Sequence, residues 1–366
     1  MTDNKKKWGL LDYSEQYLAD IILLTKDNYG EIEIANKDYL LWQYVCNPHG
    51  QAVISLAKSS LDDKVVGQYI VIPMSVIANG QEVLGSVSLN TLTHSDFRGQ
   101  GIFTVLAKDA YKKCAERGID FTYGFPNQNS YPGFVKKLGF EDIGHVPLLI
   151  KPLKIKELVK KKIRNTITKN IMIGLGACLS PLFKIKQSNF NDIEVVKIHR
   201  FDNSYSQFWS EVKGKYNVMV DRSTKFMNWR YFDIPLRKYQ VFVAKNKGNV
   251  MGYIITRIQE VEGINNGMIV DFLVADNDIG KRSGLSLISY ALKEMNNLDI
   301  EMMGCLMLPH THEFNLLRKS GFLICPKFLE PQPFPVIFKE HISIASKFKL
   351  DDLSKWFYTM GDYDAI

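Results

Sequence analysis

The amino-acid sequence predicts a mixed α/β (α+β) protein built from two similar domains, each a mixed, twisted sheet flanked by helices. Three observations support this prediction. The chain has 366 residues, of which 46% are hydrophobic, and this is enough for two cores of ordinary size. Residue patterns of the first half return in the same order in the second half. Both halves alternate β-rich segments with helical ones around a glycine-containing turn.

The internal repeat is clearest where Tyr39–Pro48 matches Phe226–Pro235. Tryptophan, tyrosine and proline recur there at the same offset of 187 positions, as the pairs Trp42 and Trp229, Tyr44 and Tyr231, and Pro48 and Pro235. The correspondence ends with Leu-Gly-Phe at 138–140 against Ser-Gly-Phe at 320–322. A repeat this long is a whole domain, because each copy can bury its own core.

We therefore expect an N-terminal domain over residues 1–150, a connector over 151–189, and a C-terminal domain over 190–366 with an aromatic, acidic tail. The connector holds ten Lys or Arg residues against the single acid Glu157, while the rest of the chain is slightly negative. Its apolar residues recur every four positions, as in a basic amphipathic helix: Ile155, Val159, Ile163, Ile167 and Ile171. Such a helix either packs across the two domains, which we favour, or gives weak peripheral contact with an anionic membrane surface.

Composition and local patterns argue against several classes of protein. Residues 1–10 are polar and lack the apolar core of a secretory signal, so we expect a cytoplasmic protein. The apolar run Ile171–Phe183 contains Pro181 and is shorter than the ~20 residues of a transmembrane helix. Five cysteines without a CxxC pair argue against a disulfide framework or a zinc knuckle. The net charge of +7 gives no whole-surface basic footprint for nucleic acid.

The first half carries a glycine turn between a strand and a helix. The strand is predicted over Glu82–Leu92, the turn over Thr93–Phe103, and the helix over Thr104–Arg117, with Gly118 as its C-terminal cap. Glycines at such a turn let backbone N–H groups approach an anion closely, and the helix N-terminus adds about half a positive charge. A diphosphate is the ligand that this arrangement suits.

This turn resembles motif A of the GNAT superfamily of acetyltransferases, Arg/Gln-x-x-Gly-x-Gly/Ala between a strand and a helix. Arg98 and Gly101 match the motif, whereas Phe103 stands where the family has a small residue. A second segment, Asn127–Phe140, resembles motif B, in which an Asn and a Ser begin a helix that ends in Leu-Gly-Phe. Two motifs in the correct order identify the first half as a member of this superfamily, and the second half resembles it more weakly.

The resemblance implies where an acyl-CoA, most simply acetyl-CoA, would bind as co-substrate. In this superfamily the fourth and fifth strands splay apart, and the acyl-CoA fills the gap. Asn127 or Asn129, together with Ser130, would approach the pantetheine arm. That arm would also pair with the backbone of Leu92, Thr93 and His94. The pyrophosphate would be held by the backbone of Arg98, Gly99, Gln100, Gly101, Ile102 and Phe103.

Acyl transfer by this route needs a base that removes the ammonium proton, and often an acid for the departing thiolate. In this superfamily the acid is commonly a tyrosine four residues before the glycine of motif B, a position held by Val135 here and by Leu317 in the second half. Tyr131 lies one helical turn earlier on the same face and is our candidate acid. Otherwise it simply begins the helix ahead of Pro132.

The base is harder to assign, because residues 85–92 of the predicted fourth strand contain no carboxylate. Their polar residues are Ser86, Ser88 and Asn90. Asp96 and His94 are better explained as residues of the turn and strand end. Tandem members of the superfamily, such as N-myristoyltransferases and Eis-type aminoglycoside acetyltransferases, use the terminal carboxylate as base. By that resemblance we hypothesise the same role for Ile366. In the alternative, the aromatic tail only docks to close the domain interface.

The second half is expected to bind acyl-CoA poorly or not at all. Asp271 stands on the corresponding strand, but the turn predicted at Gly280–Ser286 lacks the close glycine pair. The expected role of this half is to pack on the first half and shape the acceptor pocket. His310 and His312 alternate as metal ligands can, yet they lie in a loop without a clear third ligand, so we expect no metal site.

The sequence therefore predicts a cytoplasmic N-acyltransferase that moves an acyl group from coenzyme A to a small amine, such as an amino sugar, by direct amine attack. Two alternatives stay open. One is a FemX-like aminoacyl or peptidoglycan-precursor transferase, which would take aminoacyl-tRNA. The other is a non-catalytic CoA-binding module, which Val135 and Leu317 favour.

Overall fold

The computed structural model describes residues 7–162, 190–261, 263–342 and 344–363. It divides the chain into two compact units. Unit 1 comprises Met1–Gly144, Lys225–Arg237 and Pro335–Lys355, and unit 2 comprises His145–Thr224, Lys238–Phe334 and Trp356–Ile366. Each unit contains its own mixed sheet with helices around it, which confirms the predicted fold class.

Unit 1 is built on a sheet of strand order β1-β2-β3-β4-β5-β15-β6. Its strands are β1 (Trp8–Asp12), β2 (Val53–Ser59), β3 (Val65–Ala78), β4 (Gln81–Thr93), β5 (Phe121–Gly124), β6 (Glu141–His145) and β15 (Pro335–Glu340). Its helices are α1 (Leu18–Tyr29), α2 (Lys37–Tyr44), α3 (Ile102–Glu116), α4 (Tyr131–Leu138), α7 (Thr224–Tyr231) and α10 (Ala345–Phe348). The strands pair antiparallel from β1 to β4, whereas β4 and β5 are parallel.

Helix α3 packs against β2 and β3 and forms one side of the main core of unit 1. Its apolar residues repeat at steps of three or four, so that one face is buried. Helix α4 contributes Phe134 and Leu138 to the same core. The buried residues of α3 are Ile102, Leu106, Ala107, Ala110, Tyr111 and Cys114.

Helices α2 and α7, which hold the two copies of the clearest repeat, contact each other through equivalent residues. The indole rings of Trp42 and Trp229 stack, with centroids 4.5 Å apart and an interplanar angle of 16°. The indole N–H of Trp42 donates to the carbonyl of Trp229 at 2.9 Å, and that of Trp229 donates to the carbonyl of Trp42 at 3.1 Å. Such reciprocity is what two duplicated segments produce when they face each other around a local two-fold axis.

Unit 2 repeats the architecture with a sheet of strand order β14-β7-β13-β12-β11-β10-β8. The strands of this sheet are β7 (Leu148–Pro152), β8 (Glu194–Ile198), β10 (Gln240–Asn246), β11 (Asn249–Val261), β12 (Ile264–Val274), β13 (Met302–Leu306) and β14 (Leu323–Ile324). Outside this sheet, β9 (Val218–Val220) and β16 (Trp356–Phe357) pair in parallel with each other. The helices of unit 2 are α5 (Ile155–Lys162), α6 (Asn203–Val212), α8 (Asp278–Asn297) and α9 (His312–Lys319). As in unit 1, the central pair β12 and β13 is parallel.

Each unit contains one strand that lies next to the other half in the sequence. Strand β7 follows the first half along the chain but pairs antiparallel with β13 in the sheet of unit 2. Strand β15 follows the second half but pairs antiparallel with β5 in the sheet of unit 1. Each compact unit therefore contains segments from both halves of the sequence. The division into 1–150, 151–189 and 190–366 describes the sequence repeat and stays a prediction.

The basic connector is described only at its beginning. Helix α5 belongs to unit 2, where Lys161 donates to the Glu301 carboxylate and to the carbonyl of Gly263, both at 2.7 Å. Lys154 pairs with Asp299 of the same unit. The predicted continuation of the amphipathic helix over 163–189, and the membrane contact assigned to it, lie outside the described residues. Within the described ranges, no helix has the length and apolar character needed to cross a membrane.

Replacing Trp42 or Trp229 by phenylalanine removes one indole donor and part of the stacked surface. We expect each single change to lower the free energy of unfolding by about 1–2 kcal/mol. The double mutant should lose less than the sum, by about 0.5–1.5 kcal/mol, because the two rings stabilise each other. Urea unfolding measures all three variants. Trp42→Phe combined with Trp8→Phe, a residue of the core against α3, is the additive control. Additive losses for the Trp42 and Trp229 pair would contradict this prediction.

Candidate functional site

The parallel pair β4 and β5 parts at a defined position, as predicted for the fourth and fifth strands. Paired residues run from Gly85 with Phe121 to Ser88 with Gly124, where β5 ends. Strand β4 continues to Thr93. The edge of β4 beyond Ser88 is thus without a β5 partner, and we call this opening the fork of unit 1.

A bulge in β4 lies directly beyond the fork. Gln68 of β3 pairs with Leu92, whereas Ile70 pairs with Leu89, so β4 has one extra residue between these pairs. Within the bulge Asn90 has a φ of +50°, in the left-handed region. Its backbone carbonyl accepts from the side-chain amide of Gln68 at 2.9 Å. The bulge redirects β4 at the point where the strands separate.

At the end of β4, the backbone groups of successive residues point alternately toward β3 and toward the fork. The N–H of His94 donates to the carbonyl of Val66 on β3 at 2.9 Å. Because hydrogen-bonded pairs alternate along an antiparallel ladder, Leu92 also bonds toward β3, and the backbone of Thr93 faces the opposite side. The Nε of Arg98 donates to that Thr93 carbonyl at 3.3 Å. Of Leu92, Thr93 and His94, the predicted backbone contacts of the pantetheine arm, Thr93 is therefore the one whose backbone faces the fork.

The side chain of His94 has a local partner. Its Nδ1 accepts from the backbone N–H of Asp96 at 3.3 Å, and its ring meets Phe97 edge-on. Asp96 thus lies in the short 3-10 turn at Ser95–Phe97, and His94 caps the start of that turn.

The glycine turn leaves a set of backbone donors unused. Gly99 and Gly101 have φ values of +77° and +79°, and a side chain at either position would meet no described atom within 4 Å. The first hydrogen bond of α3 runs from the N–H of Val105 to the carbonyl of Gly101, at 3.1 Å. In the described part of the chain, the N–H groups from residue 99 to 104 make no backbone hydrogen bond. They form an anion-binding group at the N-terminus of a helix.

Two side chains of the turn stay near its surface. The guanidinium of Arg98 donates weakly to the side chain of Asn28 at 3.4 Å, and the amide of Gln100 donates to the carbonyl of Asp96 at 3.3 Å. Both side chains are exposed. Arg98 can therefore turn toward an anion at small cost.

Phe103, the residue that departs from the family pattern, fills the space between α3 and α4. Its ring packs edge-on against Phe134 at 5.4 Å and against Tyr69 at 5.9 Å. A Cβ at Gly133 would lie 3.1 Å from that ring. The large residue on α3 is thus matched by a glycine on α4, a compensation that the motif alone does not reveal.

The start of α4 is held by the predicted Asn and Ser. The Oδ1 of Asn127 accepts from the backbone N–H groups of Asn129 and Ser130, both at 3.0 Å. The hydroxyl of Ser130 donates to the same oxygen at 3.2 Å. Asn127 therefore shapes the turn, while the side chain of Asn129 is exposed.

Tyr131, the candidate acid, is engaged elsewhere. Its hydroxyl donates to the carboxylate of Asp142 on β6 at 2.5 Å. This hydrogen bond, with some desolvation, raises the pKa of the Tyr131 phenol. At the usual acid position, Val135 is half-buried against the apolar core.

A chain of three hydroxyls lies beside the fork on the α3 side. Ser88 donates to the hydroxyl of Tyr69 at 3.0 Å, and Tyr69 shares a short hydrogen bond with Tyr111. Burial raises the pKa of both phenols, so both are protonated at neutral pH. Sequence inspection missed this chain because its members come from β3, β4 and α3. It fixes Ser88 at the point where the strands part.

The corresponding fork of unit 2 is occupied by the C-terminal segment. Strands β12 and β13 end their pairing at Ile269 with Cys305. Just beyond, Met307 forms an antiparallel bridge with Thr359, and the 3-10 turn Met360–Asp362 packs on β12. The aromatic tail is buried there, and Phe357 stacks on Tyr216 at 4.7 Å. Here the tail fills the gap between two strands of its own unit.

A buried arginine locks this segment in place. Arg222, 1% exposed, donates from Nε to Asp271 at 3.1 Å and from a terminal nitrogen to Asp362 at 2.8 Å. It also donates to Thr359 at 3.1 Å. Asp271, considered above for its strand position, is therefore the partner of a structural arginine in unit 2.

The prediction of a turn at Gly280–Ser286 is wrong. These residues lie inside helix α8, which begins at Asp278 under the side-chain cap of Asn277. A Cβ at Gly280 would lie 2.0 Å from the carbonyl oxygen of Ala275, so this glycine permits close backbone contact. Between β12 and α8 the described chain has no open turn like that of unit 1, because the strand leads almost directly into the helix.

The remaining candidates lie apart from the fork of unit 1 or outside the described residues. His310 bonds to the carbonyl of Trp356 at 2.8 Å. Across the described ranges, no group of three or more His, Cys, Asp or Glu side chains could hold a metal ion. The tail is described to Tyr363, so the terminal carboxylate of Ile366 lies outside the description.

Comparison with known proteins gives one family match, within the first half of the chain. Residues 17–143 match the family model of the acetyltransferase (GNAT) domain. No curated protein matches the sequence. Among solved structures, the chain is similar to a GCN5-related N-acetyltransferase from Anabaena variabilis ATCC 29413, at 13% identity and a TM-score of 0.63, covering 92% of this chain and 73% of that one.

Two further solved structures have the same fold. One is Saccharomyces cerevisiae N-myristoyltransferase with bound myristoyl-CoA, at 12% identity and a TM-score of 0.59, covering 91% of this chain and 82% of that one. The other is a probable N-acyltransferase from Enterococcus faecalis V583, at 12% identity and a TM-score of 0.61, covering 91% and 72%. At these identities the similarity concerns the fold.

Replacing Arg222 by methionine should destabilise unit 2, because it leaves the carboxylates of Asp271 and Asp362 buried without their cation. We expect a loss of about 3–5 kcal/mol in the free energy of unfolding. Arg282→Met is the matched control, since Arg282 is half-exposed and pairs with Asp192 at the surface. That change should cost under about 1 kcal/mol. Urea unfolding compares the two, and equal losses would contradict the role of Arg222.

Proposed function

We propose that this chain, which belongs over residues 17–143 to the acetyltransferase (GNAT) domain family, transfers an acyl group from coenzyme A to a primary amine. Acetyl is the simplest acyl group for this reaction. One observation carries the proposal: the open glycine turn of unit 1 stands at the end of a strand whose edge has lost its neighbour. Unused N–H donors for a pyrophosphate and an unpaired strand edge for a pantetheine arm thus occur together.

The dimensions suit this assignment. The edge of β4 from Ser88 to Thr93 spans about 15–17 Å at roughly 3.3 Å per residue. An extended pantetheine arm with its pyrophosphate on the N–H groups of residues 99–103 would place its thioester near Ser88 and Asn90. The backbone of Thr93 and the side chain of Arg98 would contact the donor at the other end. Asn129 and Ser130, at the start of α4, are the proposed contacts from the opposite side.

The reaction is direct attack by the amine nitrogen on the thioester carbonyl. The new C–N bond forms as the C–S bond breaks, and the thiolate leaves as coenzyme A. The nitrogen must lose a proton, for which the terminal carboxylate of Ile366 is the proposed base. Tyr131 is the proposed acid for the thiolate, and it would have to exchange its bond to Asp142 for that role.

The acceptor we propose is a small amine, with amino sugars first among them. A mass-gain screen of amino-sugar nucleotides with acetyl-CoA tests it directly. The location proposed from the sequence is the cytoplasm, with weak peripheral membrane contact through residues 151–189. Cosedimentation with anionic lipid vesicles at low salt tests the contact.

Two other functions give different results in one binding experiment. A FemX-like aminoacyl transferase would take aminoacyl-tRNA and should not bind acetyl-CoA in calorimetry. A CoA-binding module without catalysis would bind acetyl-CoA but turn over no amine. The open glycine turn favours the acyl-CoA enzyme over the first alternative. The bond between Tyr131 and Asp142, together with Val135 at the usual acid position, favours the second.

Gly101→Glu should abolish acyl-CoA binding. The change adds a carboxylate to the proposed pyrophosphate site and strains a backbone at φ +79°. We expect calorimetry with acetyl-CoA to show at least about a hundredfold weaker binding. Gly118→Glu is the matched control, because Gly118 at the other end of α3 has a φ of +70° and equally open surroundings. Equal affinity of both variants would refute the site assignment.

Deleting residues 364–366 tests the terminal carboxylate. The buried segment from Trp356 to Tyr363 remains, so the variant should unfold within about 1 kcal/mol of the full chain. We expect turnover to fall by about 10²-fold or more if that carboxylate is the base. Acetyl-CoA affinity is the internal control and should not change. Full turnover in the shortened chain would exclude this role for Ile366.

A further inference from the structure

The proposed function leaves the attacking amine without a binding group, and the bulge of β4 provides a candidate. Asn90 lies beyond Ser88, the last residue of β4 that pairs with β5, and its side chain is half-buried. Its φ of +50° is unfavourable for residues other than glycine, although asparagine tolerates it better than most. Residues held in such a conformation cluster at functional sites.

The orientation of the Asn90 carboxamide is fixed by helix α2. Its Nδ2 donates to the Oε1 of Gln43 at 2.8 Å and lies 3.0 Å from the hydroxyl of Tyr44 as a second acceptor. Gln43 and Tyr44 are both 2% exposed. A carboxamide nitrogen has two hydrogens, and these contacts use both. A flipped amide would set two oxygens against each other, so the Oδ1 of Asn90 must be directed away from these partners.

Two amide oxygens at this bulge have no hydrogen-bond donor among the residues that the structure describes. The Oδ1 of Asn90 accepts no hydrogen bond from the described part of the chain. The Oε1 of Gln68, on a residue only 2% exposed, likewise has no partner among the described residues. Gln68 is bound to the backbone of Asn90, so both oxygens belong to one cluster. The Oδ1 of Asn90 differs from the buried Oε1 of Gln68 in that it belongs to a half-buried residue, so an N–H group of a ligand can reach it and donate to it.

We propose that the Oδ1 of Asn90 is the acceptor that binds the attacking amine, and that the substrate is a weakly basic amine such as an amino sugar. This inference rests on the proposed function. An N–H bound to Asn90 leaves the nitrogen lone pair free to face the thioester beside the fork.

The chemistry of the cluster sets the class of amine. Asn90 is held by two carboxamides and a phenol, and residues 85–93 contain no Asp or Glu. A neutral acceptor binds an uncharged amine well, whereas a buried ammonium ion needs a counter-charge. Ring and hydroxyl oxygens withdraw electrons from the nitrogen of an amino sugar. Its amine is therefore less basic than an alkylamine and loses its proton more readily.

The experiment compares Asn90→Gly with Asn79→Gly in the full chain. Asn79 stands in the β3–β4 turn at a φ of +49°, so both changes relieve the same backbone conformation. Release of the CoA thiol from acetyl-CoA is followed with glucosamine, with hydroxylamine and with n-butylamine. Calorimetry measures acetyl-CoA affinity, and thermal unfolding measures stability. A third variant, Asn90→Asp, keeps an oxygen at the same position and adds a negative charge.

For Asn90→Gly we expect kcat/KM for glucosamine to fall about tenfold or more, with acetyl-CoA affinity within about twofold of the original, while stability falls because Gln43 and Tyr44 lose a donor. Asn79→Gly should leave all three unchanged. Asn90→Asp should raise kcat/KM for butylamine relative to glucosamine by about tenfold. A purely structural Asn90 would move stability and affinity together and would not change the preference between amines.

Several results would overturn the inference. They are an unchanged kcat/KM for glucosamine in Asn90→Gly, an original protein that prefers butylamine, and acetyl-CoA binding without turnover of glucosamine or hydroxylamine. In each of these cases acetyl-CoA still binds, and the donor site stands. Absence of acetyl-CoA binding in the original protein would instead overturn the proposed function together with this inference.

Discussion

The loss of pairing between two parallel strands is the constraint on which the rest of unit 1 depends. Once β5 ends at Gly124, the edge of β4 must find other partners for its backbone groups. The bulge at Asn90, the exposed amides before α3 and the contact between Phe103 and Gly133 all lie around that opening. Together they are the features on which the proposed acyl-CoA site depends.

In unit 2, the gap between the corresponding parallel strands is filled by a segment of the same unit. Its strands part in the same way, but the C-terminal segment fills the gap, and its Asp362 joins Arg222 and Asp271 in a buried charged cluster. Burying Arg222 with two carboxylates costs desolvation, which their hydrogen bonds must offset. One fold thus supports two outcomes, an open fork and a filled one. The difference lies in a short loop and a tail and not in the sheet itself.

Sequence patterns predicted the elements around the fork to within a few residues, because local signals specify them. Glycines with positive φ, a helix of regular apolar spacing and the Leu-Gly-Phe ending of α4 are all readable from neighbours along the chain. The exchange of β7 and β15 was not predictable, since strand partners far apart in sequence leave no local trace. Helix α8 was misjudged because Gly280 and Gly284 suggested a turn, whereas they serve close packing within unit 2. The left-handed Asn90 gave no signal, because asparagine is ordinary in strands and turns alike.

The strand exchange also has a consequence for synthesis on the ribosome. Strand β5 receives its outer neighbour only when Pro335–Glu340 has been translated, after most of the second half. At about 5–20 residues per second, this edge stays open for roughly 10–40 s. An open edge strand invites pairing with other nascent chains. The sheet of unit 1 is therefore completed only after most of the second half has been translated, although most of its strands come from the first half.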